Sequence, residues 1–307
     1  MRAGNVLVVG DSLLEVTVAP SEPMRPGADA PARISLGPGG QGANVAVRLA
    51  RHGVRVRLVT ALGSDAAGRL VREALAAEGV ELGEVAAERT GAVVSILGSA
   101  GERTMLSQRV PFELDAVTKV SRALVGARWL HVSGYLLREA GAVEVAAGMR
   151  HAAGSARVSV GGGSVPPGPE AERFRAALVA LRPDLLMTSR DEAASVIADA
   201  SRDASPVEMA RRLASLAPVA IVTAGEEGSA VAGNGATFAI PAIGGEQPVV
   251  DATGAGDAYA AALIATLDGS AWPPDTAALR RAAETASRAG AAVARVWGAQ
   301  GRIADER

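Results

Sequence analysis

Six short apolar runs recur along the 307-residue chain: Asn5 to Val9, Val56 to Ala61, Trp129 to Val132, Arg157 to Val160, Asp184 to Thr188 and Val219 to Thr223. They are too short for ordinary helices and largely lack the polar alternation of a strand with one wet face. Runs of this kind are strands covered on both sides, and stretches of helical periodicity such as Ala66 to Glu78 lie between them. Alternating strands and helices build an α/β fold, a central and mainly parallel sheet with helices on both faces. The length suits a single such domain. Aromatic residues make up 3% of the chain and hydrophobic residues 49%, so Ala, Val and Leu must fill the core.

Two stretches break the rhythm. Leu14 to Val18 and Ala32 to Leu36 show partial alternation on either side of a Pro-rich loop, and Ala92 to Gly98 with Arg103 to Gln108 reads as a hairpin turning at Ala100-Gly101. Together they predict a small four-stranded appendage, a β lid drawn from insertions at about residues 14–37 and 91–110. Gly37 to Asn44 opens a helix with Val45, Ala46, Leu49 and Ala50 on one face and Arg48 and Arg51 outside. Ser205-Pro206-Val207-Glu208 reads as a capping box, and helices over Asp257 to Leu267 and Thr276 to Val296 close the chain.

The strongest chemical signal is Asp251-Ala252-Thr253-Gly254-Ala255-Gly256-Asp257, followed by the apolar run Ala258 to Ala265. Glycines let the backbone turn tightly and aim N–H groups at a ligand, and the amino end of the helix that follows is electropositive. The Gly254-Ala255-Gly256 turn is thus an anion hole. A carboxylate at Asp257 cannot itself hold a phosphate; its natural role is to take a proton from a nucleophile attacking that phosphate. The plain alternative is a loop with an ordinary helix cap.

Composition narrows the field. Net charge is −2 and the arginines are scattered, which excludes a polyanion-binding surface and argues against nucleic acid as a partner. Lys119 is the only lysine, so no Walker-type lysine is at hand. There are no cysteines and no apolar stretch of membrane-spanning length, and the expectation is a soluble cytoplasmic protein. His52, His131 and His151 are dispersed, without metal-ligand spacing.

The Asp251 to Asp257 stretch, paired with Gly39-Gly40-Gln41-Gly42-Ala43-Asn44 near the amino end, resembles the two signatures of the ribokinase-like carbohydrate kinases, the phosphofructokinase B family. The resemblance covers essentially the whole chain and implies ATP-dependent phosphorylation of a hydroxyl on a sugar or sugar-like molecule. Asp257 matches the family's base, and the backbone of Gly254 to Asp257 matches its anion hole. Thr223-Ala224-Gly225-Glu226-Glu227-Gly228 resembles the nucleotide loop, which puts Thr223, Gly225 and Gly228 against ATP, with Ser287 beside the adenine. Ser189 to Glu192 resembles an Asn-x-x-Glu motif with Ser189 in the Asn position; Glu192 then organises water around Mg²⁺, or is simply a first-turn helix glutamate. Asp251 and Thr253 match positions that help hold K⁺. On the substrate side Gly40 and Asn44 match sugar contacts, Glu15 stands where Asp is usual, and Gln41 replaces a common Lys. Asp11 either faces the pocket or caps the turn after the first strand, and Arg103 either reaches an anionic substrate group or, as preferred here, is a solvated lid residue. Gly161-Gly162-Gly163 stands where relatives carry an Asp and reads as a roomier or more mobile loop.

Lids of this kind suggest a homodimer. Three rivals remain: a nucleoside kinase of adenosine or pseudouridine type, with Phe112 and Tyr135 as aromatic candidates; a catalytically silent sugar- or nucleotide-binding regulator; and a dinucleotide oxidoreductase, disfavoured because Val8 to Ser12 lacks the glycine fingerprint.

Overall fold

A computed structural model describes residues 5–98, 103–111, 120, 122–124, 126–197, 204–243 and 249–300. Phe112, Lys119 and the Ala100-Gly101 turn lie outside these residues. Strands β1 (Asn5–Val9), β2 (Leu13–Pro20), β3 (Ala32–Gly39), β4 (Arg55–Leu62), β5 (Glu81–Ala86), β6 (Gly91–Leu97), β7 (Arg103–Gln108), β8 (Ala127–Val132), β9 (Arg157–Val160), β10 (Leu185–Ser189), β11 (Val219–Thr223), β12 (Ser229–Gly233) and β13 (Ala236–Ile240) form two sheets. The larger has nine strands in the order β13-β12-β11-β10-β9-β8-β1-β4-β5, parallel except where β12 and β13 finish one edge as antiparallel strands. The smaller has the order β3-β2-β6-β7.

The unbroken apolar runs follow from burial on both faces. In β1, Leu7 and Val9 enter one hydrophobic cluster and Val6 and Val8 the other; Ala220 and Val222 of β11 are likewise divided from Val219 and Ile221. The first cluster is closed by α3 (Ala142–Ala153), α4 (Pro169–Leu181), α5 (Arg190–Val196) and α6 (Pro206–Leu213), the labels following chain order. The second is closed by α1 (Gln41–Arg51), α2 (Ala66–Ala77), α7 (Ala255–Leu267) and α8 (Thr276–Val293). Alanines dominate α7 and α8, which allows their backbones to pack closely and explains how a chain poor in aromatics fills its interior.

The six predicted core strands and the four of the small sheet are all present, whereas β5, β12 and β13 are additional strands at the edges of the large sheet. Their sequences carry weak signals: Glu81 and Glu84 interrupt β5, and β12 and β13 are five-residue runs rich in Ala. α8 ends at Val293, three residues before the predicted end. Of the predicted capping box, only half forms: Ser205 Oγ accepts from the Glu208 amide at 3.2 Å, but the Glu208 carboxylate turns to Arg211 instead. Arg48 and Arg51 are not simply solvated, since both donate to main-chain carbonyls of Ala299 and Gln300.

Candidate active site

The carboxyl ends of β1, β8, β9 and β10 face the small sheet, and between them lies a cavity of about 180 Å³. This is the rim where open α/β sheets place ligands. Leu13, Glu15, Val93, Arg103 and Met105 form the small-sheet wall; Gly40, Gln41 and Asn44 come from the start of α1, and Gly254, Gly256 and Asp257 from the start of α7. The far side is made by Arg109, Tyr135, Ser164 and Glu192.

Strand register explains the wall. Glu15 pairs with Gly37 and Val93, so its side chain projects from the inner face, and a Cβ at Gly39 would sit 2.7 Å from the Glu15 carboxylate oxygen. Burial raises the Glu15 pKa, with Asp251 adding to the rise and Arg103 opposing it. At Gly40 the backbone takes φ +97° and a Cβ would meet the Asp11 carbonyl at 2.7 Å, so this turn into α1 requires glycine.

Asp257 stands on the first turn of α7. Its Oδ2 accepts a hydrogen bond from Asn44 Nδ2 at 2.8 Å. Desolvation pushes its pKa up to about 7; Asp11 and Glu15 also raise it, whereas the Asn44 hydrogen bond and Arg103 pull it down. Gly254 precedes the helix at φ +75°, and a Cβ there would lie 2.6 Å from the Ala299 carbonyl. The Ala255 amide is turned back to the Ala252 carbonyl at 3.2 Å. Among the described residues, the Gly256 and Asp257 amides find no acceptor, and no side chain caps the helix. A helix amino end with free donors opening beside a carboxylate is suited to hold an anion next to a proton acceptor.

Asp251 is buried beneath this turn. Its Oδ1 accepts from the amide of Thr253 at 2.9 Å and from the Thr253 hydroxyl, and its Oδ2 accepts from the Gly298 amide at 3.1 Å. Arg103 Nη1 lies 3.9 Å from the same carboxylate and lines the cavity, while the residue as a whole stays exposed to solvent, so the lid arginine is both solvated and within reach of the site. The register of β7 places Arg103 and Met105 on the same face of the small sheet as Glu15. Asp11 is held by Arg109 and accepts from Ser133 Oγ at 3.3 Å.

Gln41 is spent on structure: its Oε1 accepts from Ser133 Oγ at 2.7 Å and the Gly134 amide at 2.9 Å, and its Nε2 donates to the Gly162 carbonyl at 2.5 Å. The Gly161 to Gly163 loop is correspondingly close-packed, not roomy. A Cβ at Gly162 would land on the Glu192 carboxylate, and one at Gly163 would meet the Tyr135 amide nitrogen at 2.5 Å. Among the described residues a reciprocal capping box forms at Ser189 and Glu192: Glu192 Oε2 accepts from the Ser189 amide at 2.7 Å while Ser189 Oγ accepts from the Glu192 amide at 3.3 Å. Glu192 Oε1 also accepts from the Ser164 amide at 2.6 Å, so the glutamate is both a first-turn helix residue and part of the cavity wall.

Thr223, Gly225, Gly228 and Ser287 do not line the cavity. Thr223 ends β11, with its hydroxyl 3.4 Å from the Thr188 carbonyl. Gly225 and Gly228 have φ of +56° and +87°, and the Gly228 carbonyl accepts from the Ala224 amide at 2.8 Å, a tight turn in place of a long loop. Ser287 on α8 and Ser229 both hydrogen-bond the Tyr259 hydroxyl. Sequence reasoning did not single out Arg109, Ser164 or Gln300. No local pattern marks them, because each meets the site only through the fold.

The chain belongs to the pfkB family of carbohydrate kinases, whose model matches residues 3–306. It is a carbohydrate kinase, a transferase with a ribokinase-like fold. It is 31% identical over 300 residues to a fructokinase of Klebsiella pneumoniae, covering 90% of this chain and 88% of that protein. A fructokinase of Salmonella typhimurium is 30% identical over 286 residues, with 85% and 87% covered. Among solved structures, a ribokinase from Giardia lamblia superposes with a TM-score of 0.78 at 17% identity, covering 97% of this chain and 95% of that one. A ribokinase from Thermotoga maritima gives a TM-score of 0.74 at 20% identity, with the same coverage. Both structural likenesses speak for the fold.

Proposed function

We propose that this carbohydrate kinase transfers the γ-phosphoryl group of Mg-ATP to a hydroxyl of a sugar bound in the cavity, with Asp257 as the general base. The observation that carries this reading is the pairing of Asp257 with unoccupied α7 amides: a carboxylate whose pKa is pushed up to about 7 lies beside donors that have no acceptor among the described residues. The proton of the sugar hydroxyl passes to Asp257, the oxygen attacks the γ-phosphorus in line, and the bond to the β-phosphate oxygen breaks. Charge on the transferring group is met by the amides of Gly256 and Asp257 in the Gly254 to Asp257 turn. The Ala255 amide contributes only by leaving its turn bond to Ala252.

Glu15, Asn44, Gly40 and Arg103 face the sugar, with Asp11 acting through Arg109 and the local field. Gln41 holds the Ser133–Gly134 and Gly162 loops in place. Thr223, Gly225, Gly228, Ser189 and Ser287 form the nucleotide side. No cluster of three or more metal-ligating side chains occurs among the described residues, and Glu192 is the acidic group suited to order the water around magnesium that arrives with ATP. Asp251 and Thr253, with main-chain groups near Gly298, make the candidate K⁺ site. The small sheet serves as the lid that excludes water. Its outer face carries an apolar row, Leu36, Val16, Val94 and Leu106, in direct cross-strand register, with Leu36 and Leu106 61% and 62% exposed; a homodimer through this face would cover it.

The sugar relatives place fructose first on a test panel. A nucleoside is disfavoured because the face of Tyr135 is taken by the Arg109 guanidinium, 3.6 Å from the ring centroid, which leaves it unavailable to stack on a base. The test is ADP release from Mg-ATP across ketoses, aldoses, sugar acids and nucleosides, with Asp257→Asn in parallel. The expected result is turnover on a sugar, rising with pH through about 7, and a loss of about 10²- to 10⁴-fold in kcat in the variant with ATP binding retained. Full activity in Asp257→Asn would remove the base assignment.

A further inference from the structure

We infer that Gln300 is a positioning residue for Asp257, acting through Asn44: its side-chain amide fixes which end of the Asn44 amide faces the carboxylate. The inference rests on the reading of Asp257 as the general base. Gln300 is buried, and its Nε2 donates to Asn44 Oδ1 at 3.3 Å while Asn44 Nδ2 donates to Asp257 Oδ2 at 2.8 Å. The three side chains form one directed line of hydrogen bonds, Gln300 to Asn44 to Asp257.

Direction matters because a primary amide is two-faced. With its nitrogen toward Asp257, Asn44 donates and favours the ionised carboxylate; turned over, it presents an oxygen and favours the protonated acid. Asn44 is buried, so its oxygen needs a donor, and Gln300 supplies one. The position of Gln300 is itself set by the helix that carries Asn44. Arg48 and Arg51 stand one and two turns further along α1 on the same side, and their guanidiniums donate to the carbonyls of Ala299, at 3.0 Å, and Gln300. Arg48 is half-buried, and desolvation lowers its pKa. Two main-chain clamps therefore hold Gln300 so that its side chain meets Asn44. Besides Asn44, the charged groups acting on Asp257 are Asp11, Glu15 and Arg103, with Arg48 further along α1. None of these is touched by a neutral change confined to the Gln300 side chain.

The test is the protonation midpoint of Asp257 in the full-length protein, followed by carboxyl ¹³C NMR and assigned by loss of the signal in Asp257→Asn, together with the acid limb of the kcat profile. The variants are Gln300→Met, which keeps the volume but cannot donate, and Gln300→Glu, which offers an acceptor and drives Asn44 to turn over. Both retain the main-chain carbonyl bound by Arg51. The diagnostic step is from wild type to the neutral Met variant, upward by roughly half a pH unit to one unit, with the kinetic limb moving with it; the Glu variant lies higher still because it adds a like charge to the same loss of the donor. A midpoint unchanged in Gln300→Met, or a kcat reduced equally at every pH, overturns the inference while leaving the base assignment standing. Full activity in Asp257→Asn removes the base assignment and the inference with it.

Discussion

Gly162 illustrates how one missing side chain can be read only in the fold. Its Cα faces the Glu192 carboxylate so closely that any Cβ would displace it, and Glu192 in turn accepts from the Ser164 and Ser189 amides. Gly162→Ala should therefore push Glu192 off both donors and lower stability by about 1–3 kcal/mol, read from urea unfolding. An unchanged midpoint would mean that the loop yields at no cost. Asp257 is the opposite case, since the glycine turn and the apolar run beside it single the residue out in sequence, whereas its raised pKa comes first from burial in the folded site, with Asp11 and Glu15 on distant segments adding to it. The same holds for Ser189, where a serine in the nucleotide motif turns out to be the capping partner of Glu192.

At the scale of elements, the segment 297–300 ties the small sheet to the site. Trp297 Nε1 donates to Ser35 Oγ on β3 at 3.0 Å, and the Arg33 guanidinium lies 4.9 Å from the indole centroid. One residue on, the Gly298 amide holds Asp251. Replacing Trp297 with Phe keeps a ring but removes the N–H, and the small sheet should then be held less firmly over the cavity. The expected result is a rise of about five-fold in KM for the sugar with kcat little changed, the size of one net hydrogen bond. Equal KM values in the two proteins would show that the bond does not bear on substrate binding. Apolar runs made the central strands legible, but β5, β12 and β13 were not, because Glu81 and Glu84 break the apolar pattern of β5, and β12 and β13 are only five residues long and rich in alanine.

For the molecule as a whole, His131 sets a dependence of stability on acid. It is fully buried in the large sheet, its Nδ1 is 3.0 Å from Ser159 Oγ, and burial pushes its pKa down to about 4. The unfolded chain, with an ordinary imidazole near 6.5, binds more protons than the folded one between these values. Stability is therefore fully present above the unfolded pKa and is lost as pH falls through this window, by about 2 kcal/mol between pH 7.5 and pH 5. Asp257 works in the other direction, because its raised folded pKa makes the native state the better proton binder between the ordinary carboxylate range and about 7. The histidine contribution is thus read as a difference: urea unfolding of wild type and His131→Gln at both pH values should show the wild type losing about 2 kcal/mol more on acidification. Parallel losses would place the effect elsewhere.

The sequence by itself determined the α/β class, the small sheet built from two insertions, the family and the two glycine-bearing turns, because periodicity, turn chemistry and spacing are local and survive in one dimension. Tertiary structure alone decided that Arg103 points into the cavity, that Gln41 is consumed in bracing two loops, and that Glu192 fills the space left by Gly162. It alone joined Gln300 to Asn44, 256 positions apart. Such contacts depend on which strand ends the sheet order brings side by side, and that order is set by packing over the whole core rather than by any segment of it.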